Sequence, residues 1–93
     1  MRLVWTAEAL NDLADSLVYY LEKAGPTTAA RVETRIFSQV EALRTFPESI
    51  RTSDRVPGTR ERAIQRLPYI AFVQVLPDQI RVLNVVHTAR RFP

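Results

Sequence analysis

The sequence contains no cysteine and only one histidine, His87. The absence of cysteine excludes disulfide bonds and thiolate chemistry, and a single imidazole without thiol partners excludes the usual Cys/His zinc sites. No apolar run approaches the roughly 20 residues that a transmembrane helix needs. We therefore expect a globular protein that uses no metal ion and no cofactor and that does not bind to a membrane.

Lysine is also scarce, because twelve of the thirteen cationic residues are arginines and Lys23 is the exception. Residues 1–46 carry five cationic and six acidic side chains, a balance of −1, whereas residues 47–93 carry eight and four, a balance of +4. Arginine forms paired contacts with phosphate and carboxylate groups. The basic C-terminal half therefore suits a nucleic acid or an acidic protein, and the arginine bias alone also fits a GC-rich genome.

The length of 93 residues is enough for one modest hydrophobic core, so we expect a single domain over residues 1–93. Arg2 places a charge in what would be an apolar targeting segment, and no small-residue cleavage site follows. These features argue against a secretory signal and predict a cytoplasmic protein.

The N-terminal half predicts a strand and a helical hairpin. The β-prone residues 3–5 lead to Thr6, a good helix N-cap. Apolar residues then recur at three- and four-residue steps, which predicts the core-facing side of a first helix. They are Leu10, Leu13, Ala14, Leu17 and Leu21. Residues 25–26, Gly-Pro, allow the chain to reverse into a second helix, which residues 46–47, Phe-Pro, should end.

The C-terminal half predicts three strands after a loop at residues 48–59. They cover residues 61–67, 69–76 and 80–87, and the last two are too continuously apolar for edge strands. We place those two in the middle of the sheet. The order β-α-α-β-β-β predicts an α+β fold, with the N-terminal helical hairpin packed on an antiparallel sheet.

Four stretches of the sequence resemble the RelE/ParE superfamily of toxins: residues 7–13, 56–61, 68–70 and 80–90. The resemblance implies the toxin of a bacterial type II toxin–antitoxin system, a plasmid-stabilising or chromosomal module that inhibits growth. It also implies a hetero-oligomer with a cognate antitoxin, whose C-terminal segment wraps the toxin and usually covers the helical hairpin. Tyr19 and Tyr20, late in the first helix, are the candidate antitoxin contacts.

The superfamily has two branches, and the resemblance leaves both open. RelE-like members enter the ribosomal A site and cut mRNA without a metal ion. ParE-like members bind DNA gyrase and stall it on cleaved DNA. The chain is therefore an endoribonuclease under the first interpretation and a non-enzymatic inhibitor of a DNA topoisomerase under the second.

Metal-free RNA cleavage needs a general acid, a general base and cations near the phosphate. His87 suits the acid or base role, because an imidazole titrates nearest to working pH. Strict alternation would place Arg81 and His87 on one face of the last strand, and Arg62 and Arg66 on one face of an earlier strand that Glu61 precedes. The candidate catalytic residues are thus Glu61, Arg66, Arg81 and His87. Equally, His87 suits a structural hydrogen bond, and Glu61 a local pair with Arg60 or Arg62.

Comparison within the superfamily favours gyrase binding over cleavage. Nuclease members that resemble this chain at Glu61 and His87 have an arginine where Tyr69 stands and a tyrosine where Thr88 stands. ParE-like members share the Gly-Thr-Arg-Glu and Pro-Tyr motifs and need a contact surface instead of chemistry. The expected target contacts are Arg60, Arg62, Arg81, Arg90, Arg91 and Phe92. The alternative is a ribosome-dependent mRNA endonuclease.

Overall fold

Strand β1 (Arg2–Trp5) runs almost directly into helix α1 (Ala7–Ala24) in the computed structural model, which describes residues 1–89 except for the side chain of Glu48. The helix begins where its cap predicts, because Thr6 Oγ1 accepts a hydrogen bond from the Ala9 N–H at 3.1 Å. It ends at Gly25, whose φ of 88° lies in the left-handed region that favours glycine.

Helix α2 (Pro26–Glu41) starts at the next residue, so Gly25 ends one helix and begins the other. Proline is suited to this first position because its missing N–H would have no partner inside the helix. Two short 3₁₀ turns, Ala42–Arg44 and Pro47–Ser49, follow α2. The helical hairpin is confirmed. Within residues 1–89, neither helix is both long and apolar enough to cross a membrane.

The remaining strands are β2 (Arg51–Thr52), β3 (Arg60–Ala63), β4 (Tyr69–Val75) and β5 (Gln79–His87). They form one sheet in the order β1-β5-β4-β3-β2, so the two apolar strands are central, as predicted. The α+β fold with a hairpin on the sheet is confirmed, with two refinements. The short edge strand β2 lies within the predicted loop at residues 48–59. Strand β1 is parallel to β5, so the sheet is mixed and not wholly antiparallel.

The main hydrophobic core lies between the helices and one face of the sheet. Fully buried residues come from both layers, including Ile36 and Val40 of α2 and Val73 and Val82 of the sheet. A smaller cluster lies on the opposite face. Its buried residues are Ile70, Phe72 and Val86, and Val56 of the preceding loop packs against them.

The apolar side predicted for α1 is only partly buried. Leu13 is buried and Leu17 is half-buried, but Leu10 and Leu21 are 51% and 50% exposed and Ala14 is also exposed. The helix packs against α2 and β5, and its buried residues are Ala9, Leu13 and Ser16. At 3.6 residues per turn, the exposed apolar side chains lie to one side of these three. The expectation that the whole stripe faces the core is therefore wrong, and α1 presents apolar surface to solvent.

Candidate functional site

Strand β5 does not alternate regularly along its length. In its pairing with β4, Val82 lies opposite Val73 and Asn84 lies opposite Phe72, although Val73 directly follows Phe72. Leu83 is therefore an extra residue of β5, which makes a β-bulge. Two side chains an even number of positions apart lie on opposite faces when the bulge falls between them.

The bulge separates Arg81 from His87. Arg81 is exposed between Ile80 and Val82, which are both buried in the main core, so it projects from the face away from the helices. His87 pairs with Tyr69, a residue of the main core, and lies on the helix-covered face. The expectation that Arg81 and His87 share a face is wrong, because it assumed an unbroken strand.

Glu61 is buried on the face that carries Arg81. It lies opposite Phe72 in the sheet and is 8% exposed. Its carboxylate accepts a hydrogen bond from Ser53 Oγ at 2.8 Å, and Ser53 Oγ in turn accepts from the N–H groups of Arg55 and Val56. Within residues 1–89, Glu61 thus holds the loop at residues 53–59 and forms no ion pair with the neighbouring arginines.

Arg60 and Arg62 lie on the helix-covered face, since they pair with Val73 and Ala71 of the main core. Both arginines are half-buried. Arg60 Nη1 donates to the Ile50 carbonyl oxygen at 3.1 Å, which ties β3 to the chain before β2. Arg62 Nε is buried and has no hydrogen-bond partner within residues 1–89.

Arg66 does not lie on a strand. Strand β3 ends at Ala63, earlier than predicted, and Arg66 is exposed in the turn that follows, with φ at 67°. The expectation that Arg62 and Arg66 share a strand face is therefore wrong. The turn begins after Ile64, whose N–H donates to the Tyr69 carbonyl oxygen at 2.9 Å and closes the hairpin.

His87 borders a partly enclosed cavity of about 200 Å³ at the end of the sheet. Its ring meets Tyr69 edge to face, with centroids 5.2 Å apart, and its Nδ1 accepts a hydrogen bond from the Ala89 N–H at 3.1 Å. Asp12, Asp15 and Tyr19 of α1 form the other side of the cavity. The surroundings of His87 are therefore aromatic and acidic.

The role of Asp12 was not predicted from the sequence. Strand β1 pairs with β5 only as far as Val82, so within residues 1–89 this edge of β5 has no strand neighbour beyond that point. Asp12 Oδ2 accepts from the Val85 N–H at 2.9 Å and from Asn84 Nδ2 at 3.2 Å. A helix side chain therefore continues the hydrogen bonding of the sheet edge.

Tyr19 and Tyr20 differ in exposure. Tyr19 is 54% exposed and meets Tyr20 edge to face, with ring centroids 5.3 Å apart. Tyr20 is half-buried against the main core. Burial raises the pKa of its hydroxyl, and the neighbouring Tyr69 and Tyr19 raise that pKa further. Of the two candidate antitoxin contacts, Tyr19 offers the more accessible ring.

The candidate catalytic residues do not converge within residues 1–89. Glu61 and Arg81 lie on the face away from the helices, His87 lies on the other, and Arg66 lies in a turn. Arg90, Arg91 and Phe92 lie outside the described residues. In the part of the chain that the structure describes, no group of three potential metal ligands has an arrangement that could hold a metal ion. The described polar residues suit separate contacts better than one reaction centre.

Comparison with known proteins gives concordant matches in sequence and structure. The family described as "ParE toxin of type II toxin-antitoxin system, parDE" has a model that matches residues 3–92. The chain is 38% identical over 92 residues to the protein named "Putative toxin Y4kP" of Sinorhizobium fredii (strain NBRC 101917 / NGR234), a match that spans 99% of this chain and 93% of that protein.

The fold is also that of a solved structure described as "Chromosomal ParDE TA system from P. aeruginosa". The TM-score is 0.86 at 30% sequence identity, over 94% of this chain and 95% of the other. Sequence and architecture therefore agree over nearly the full length of the chain.

Proposed function

Because the chain belongs to the ParE family of toxins from type II toxin–antitoxin systems, we propose that it inhibits growth by binding and poisoning DNA gyrase. A cognate antitoxin neutralises it by covering its surface. The toxin, the antitoxin and the target meet in the cytoplasm. The activity is a matter of binding and requires no cofactor.

The observation that carries the gyrase proposal is the separation of Arg81 from His87. A nuclease centre would need its acid, its base and its cations around one phosphate, whereas the bulge in β5 directs these two side chains to opposite faces. A contact surface has no such requirement. The guanidinium of Arg81 is exposed and forms no hydrogen bond or ion pair with the described residues, so it is available to an acidic surface or to DNA phosphates.

The proposed antitoxin site is the outer surface of the helical hairpin. Leu10, Leu21 and Phe37 are each about half exposed there, so the hairpin presents three large apolar side chains to solvent. Arg31 and Arg35 of α2 border a shallow groove on the same hairpin. An amphipathic segment with apolar and acidic residues would bury the first group and pair with the second.

Two assays with purified toxin test the proposed target. In the first, gyrase is incubated with supercoiled DNA and ATP, and we expect cleaved DNA to accumulate covalently on the enzyme. In the second, cell-free translation is followed by primer extension on the mRNA, and we expect no toxin-dependent cuts. Discrete cuts at ribosome-occupied codons, with gyrase unaffected, would contradict the proposal and support the alternative of a ribosome-dependent mRNA endonuclease.

Single substitutions test which residues take part in gyrase poisoning. We expect Arg81→Ala to weaken gyrase poisoning, while His87→Ala leaves it unchanged. Lys23→Ala removes an exposed cation from the end of α1 and is the matched control. If Arg81→Ala and Lys23→Ala poison gyrase equally, Arg81 is not part of the contact surface.

A further inference from the structure

The cavity beside His87 has no part in the proposed gyrase contact at Arg81. It lies at the end of the sheet where β4 begins and β5 ends, and α1 closes its other side. Its volume of about 200 Å³ is below the roughly 300–1,000 Å³ of pockets that hold drug-sized ligands. The space suits the head group of one side chain or of a small ion.

The charge of this cavity is opposite to that of the whole chain. The chain has a formal net charge of +3, yet two carboxylates, Asp12 and Asp15, line the cavity, and none of its lining residues is lysine or arginine. Within residues 1–89, neither carboxylate forms an ion pair. The two hydrogen bonds that Asp12 accepts come from neutral donors, so its negative charge is not cancelled.

Aromatic rings form much of the remaining wall, which Ser16 and Val85 complete. Tyr19 and Tyr69 both line the cavity, together with the imidazole of His87. Tyr69 is 5% exposed and is held between His87 at 5.2 Å and Tyr20 at 6.5 Å, measured between ring centroids. Tyrosine rings attract cations through their electron-rich faces. The cavity therefore combines fixed aromatic walls with unpaired negative charge.

We propose that this cavity binds an organic cation, a guanidinium or an ammonium group at the end of an aliphatic stem. Asp15 and Asp12 supply the opposite charge, and the tyrosine rings pack against the head group and stem. A guanidinium fits both elements, since its planar face stacks on rings while its edge pairs with carboxylates. The cation comes from an arginine or lysine side chain of a bound protein or from a free small amine. The proposal concerns the isolated chain and does not depend on the toxin's target.

A titration followed by NMR tests the proposal on the isotope-labelled full-length chain. The probe is N-ethylguanidinium, and ethylurea is its neutral counterpart of nearly equal shape. We expect the cation to shift the resonances of Asp15, Tyr19 and His87 saturably at millimolar concentrations, while ethylurea leaves them in place. Equal binding of the two compounds, or no binding of the cation, would overturn the proposal.

Two sets of variants connect binding to the cavity. The carboxylate of Asp15 is exposed and forms no hydrogen bond with the described residues, so Asp15→Asn should fold normally and bind the probe about three- to tenfold more weakly. Glu22→Gln removes a charge from the same helix outside the cavity and should leave the affinity unchanged. Tyr19→Phe should retain binding and Tyr19→Leu should lose it, since only the first keeps the ring. Unaltered affinity in Asp15→Asn would contradict the assignment.

The same titration on the purified toxin–antitoxin complex distinguishes the two sources of the cation. If a side chain of the antitoxin occupies the cavity, the complex no longer takes up N-ethylguanidinium and Asp15→Asn weakens the affinity of toxin for antitoxin. If the ligand is a free amine, the complex still binds the probe and Asp15→Asn leaves the toxin–antitoxin affinity unchanged.

Discussion

The two faces of the sheet use their charged residues differently. On the helix-covered face, the carboxylate of Asp12 bonds to the Val85 N–H and completes the edge of the sheet. On the opposite face, Glu61 is buried and holds a loop through Ser53, while the guanidinium of Arg81 is exposed and forms no hydrogen bond or ion pair with the described residues.

This difference shows that a charged side chain acquires its role from its surroundings. Glu61 and Asp12 are both acidic, and each accepts hydrogen bonds that hold two segments together. Arg81 contributes nothing comparable to the fold. A residue of this kind can change without loss of structure, so Arg81 is free to make the contact with another molecule that we propose for it.

The largest expected effect on stability comes from replacing a valine with alanine on each face of β5. Val82 is fully buried in the main core, and Val86 belongs to the small cluster on the other face. Each substitution removes two methyl groups, at about 1 kcal/mol for each buried one, so we expect Val82→Ala to lower the free energy of unfolding by about 2–3 kcal/mol. Around Val86 the cluster is smaller and can close more readily over the space left, so we expect a loss of about 1–2 kcal/mol for Val86→Ala. Urea denaturation of both variants measures the difference. Equal losses of unfolding free energy would show that the two faces contribute equally to stability.

The next effect concerns the carboxylate at the sheet edge. Asp12→Ala leaves the Val85 N–H without its acceptor, which should cost about 1–2 kcal/mol of unfolding free energy. Asp15→Ala, one turn along α1, removes an exposed carboxylate that forms no hydrogen bond within residues 1–89 and serves as the control. Equal stability of the two variants would mean that Asp12 adds nothing to the edge.

A smaller effect is expected at Glu61. Glu61→Ala removes the acceptor for Ser53 Oγ, and we expect a loss of about 1 kcal/mol. Glu61→Gln keeps an oxygen at that place and should lose less. Hydrogen exchange separates a loop effect from a global one. The amides of Arg55 and Val56 donate to Ser53 Oγ, so Glu61→Ala should increase their exchange rates, relative to the unsubstituted chain, more than those of the β4 amides. Uniform acceleration would argue against a role confined to the loop.

The smallest effect on stability is expected at Arg81, an exposed residue outside the core. Arg81→Ala should change the free energy of unfolding by less than about 0.5 kcal/mol. The same variant should lose most of its toxicity in cells when it is expressed without antitoxin. A stable variant with full toxicity would assign the target contact to other residues, and an unstable one would show that Arg81 supports the fold.

The helices and strands were predictable because their signals are local. The N-cap at Thr6, the Gly-Pro junction at residues 25–26 and the apolar runs of β4 and β5 each depend on neighbouring residues in the sequence. The parallel pairing of β1 with β5 joins segments more than 70 residues apart, and no local pattern encodes it. The prediction for Arg66 was wrong because β3 ends at Ala63, whereas the sequence pattern predicted a strand as far as residue 67.

The arrangement of the site was harder to predict, for two physical reasons. The bulge at Leu83 has no glycine to mark it, yet it reverses the face of every later side chain in β5. Apolar periodicity predicts that one side of α1 avoids contact with water, and the helices and the sheet of this chain are the first candidates to cover that side. It does not report whether α2, the sheet or another protein covers Leu10 and Leu21.

Gly25 alone joins the two helices, and this has a thermodynamic consequence for any segment that docks on the hairpin. With no loop between α1 and α2, the hairpin has little conformational freedom to lose when its surface is covered. The entropy of ordering then falls almost entirely on the partner. A partner segment that is already helical in isolation should therefore bind more tightly than a flexible one with the same contacts, and the gain should reside in the entropy of association.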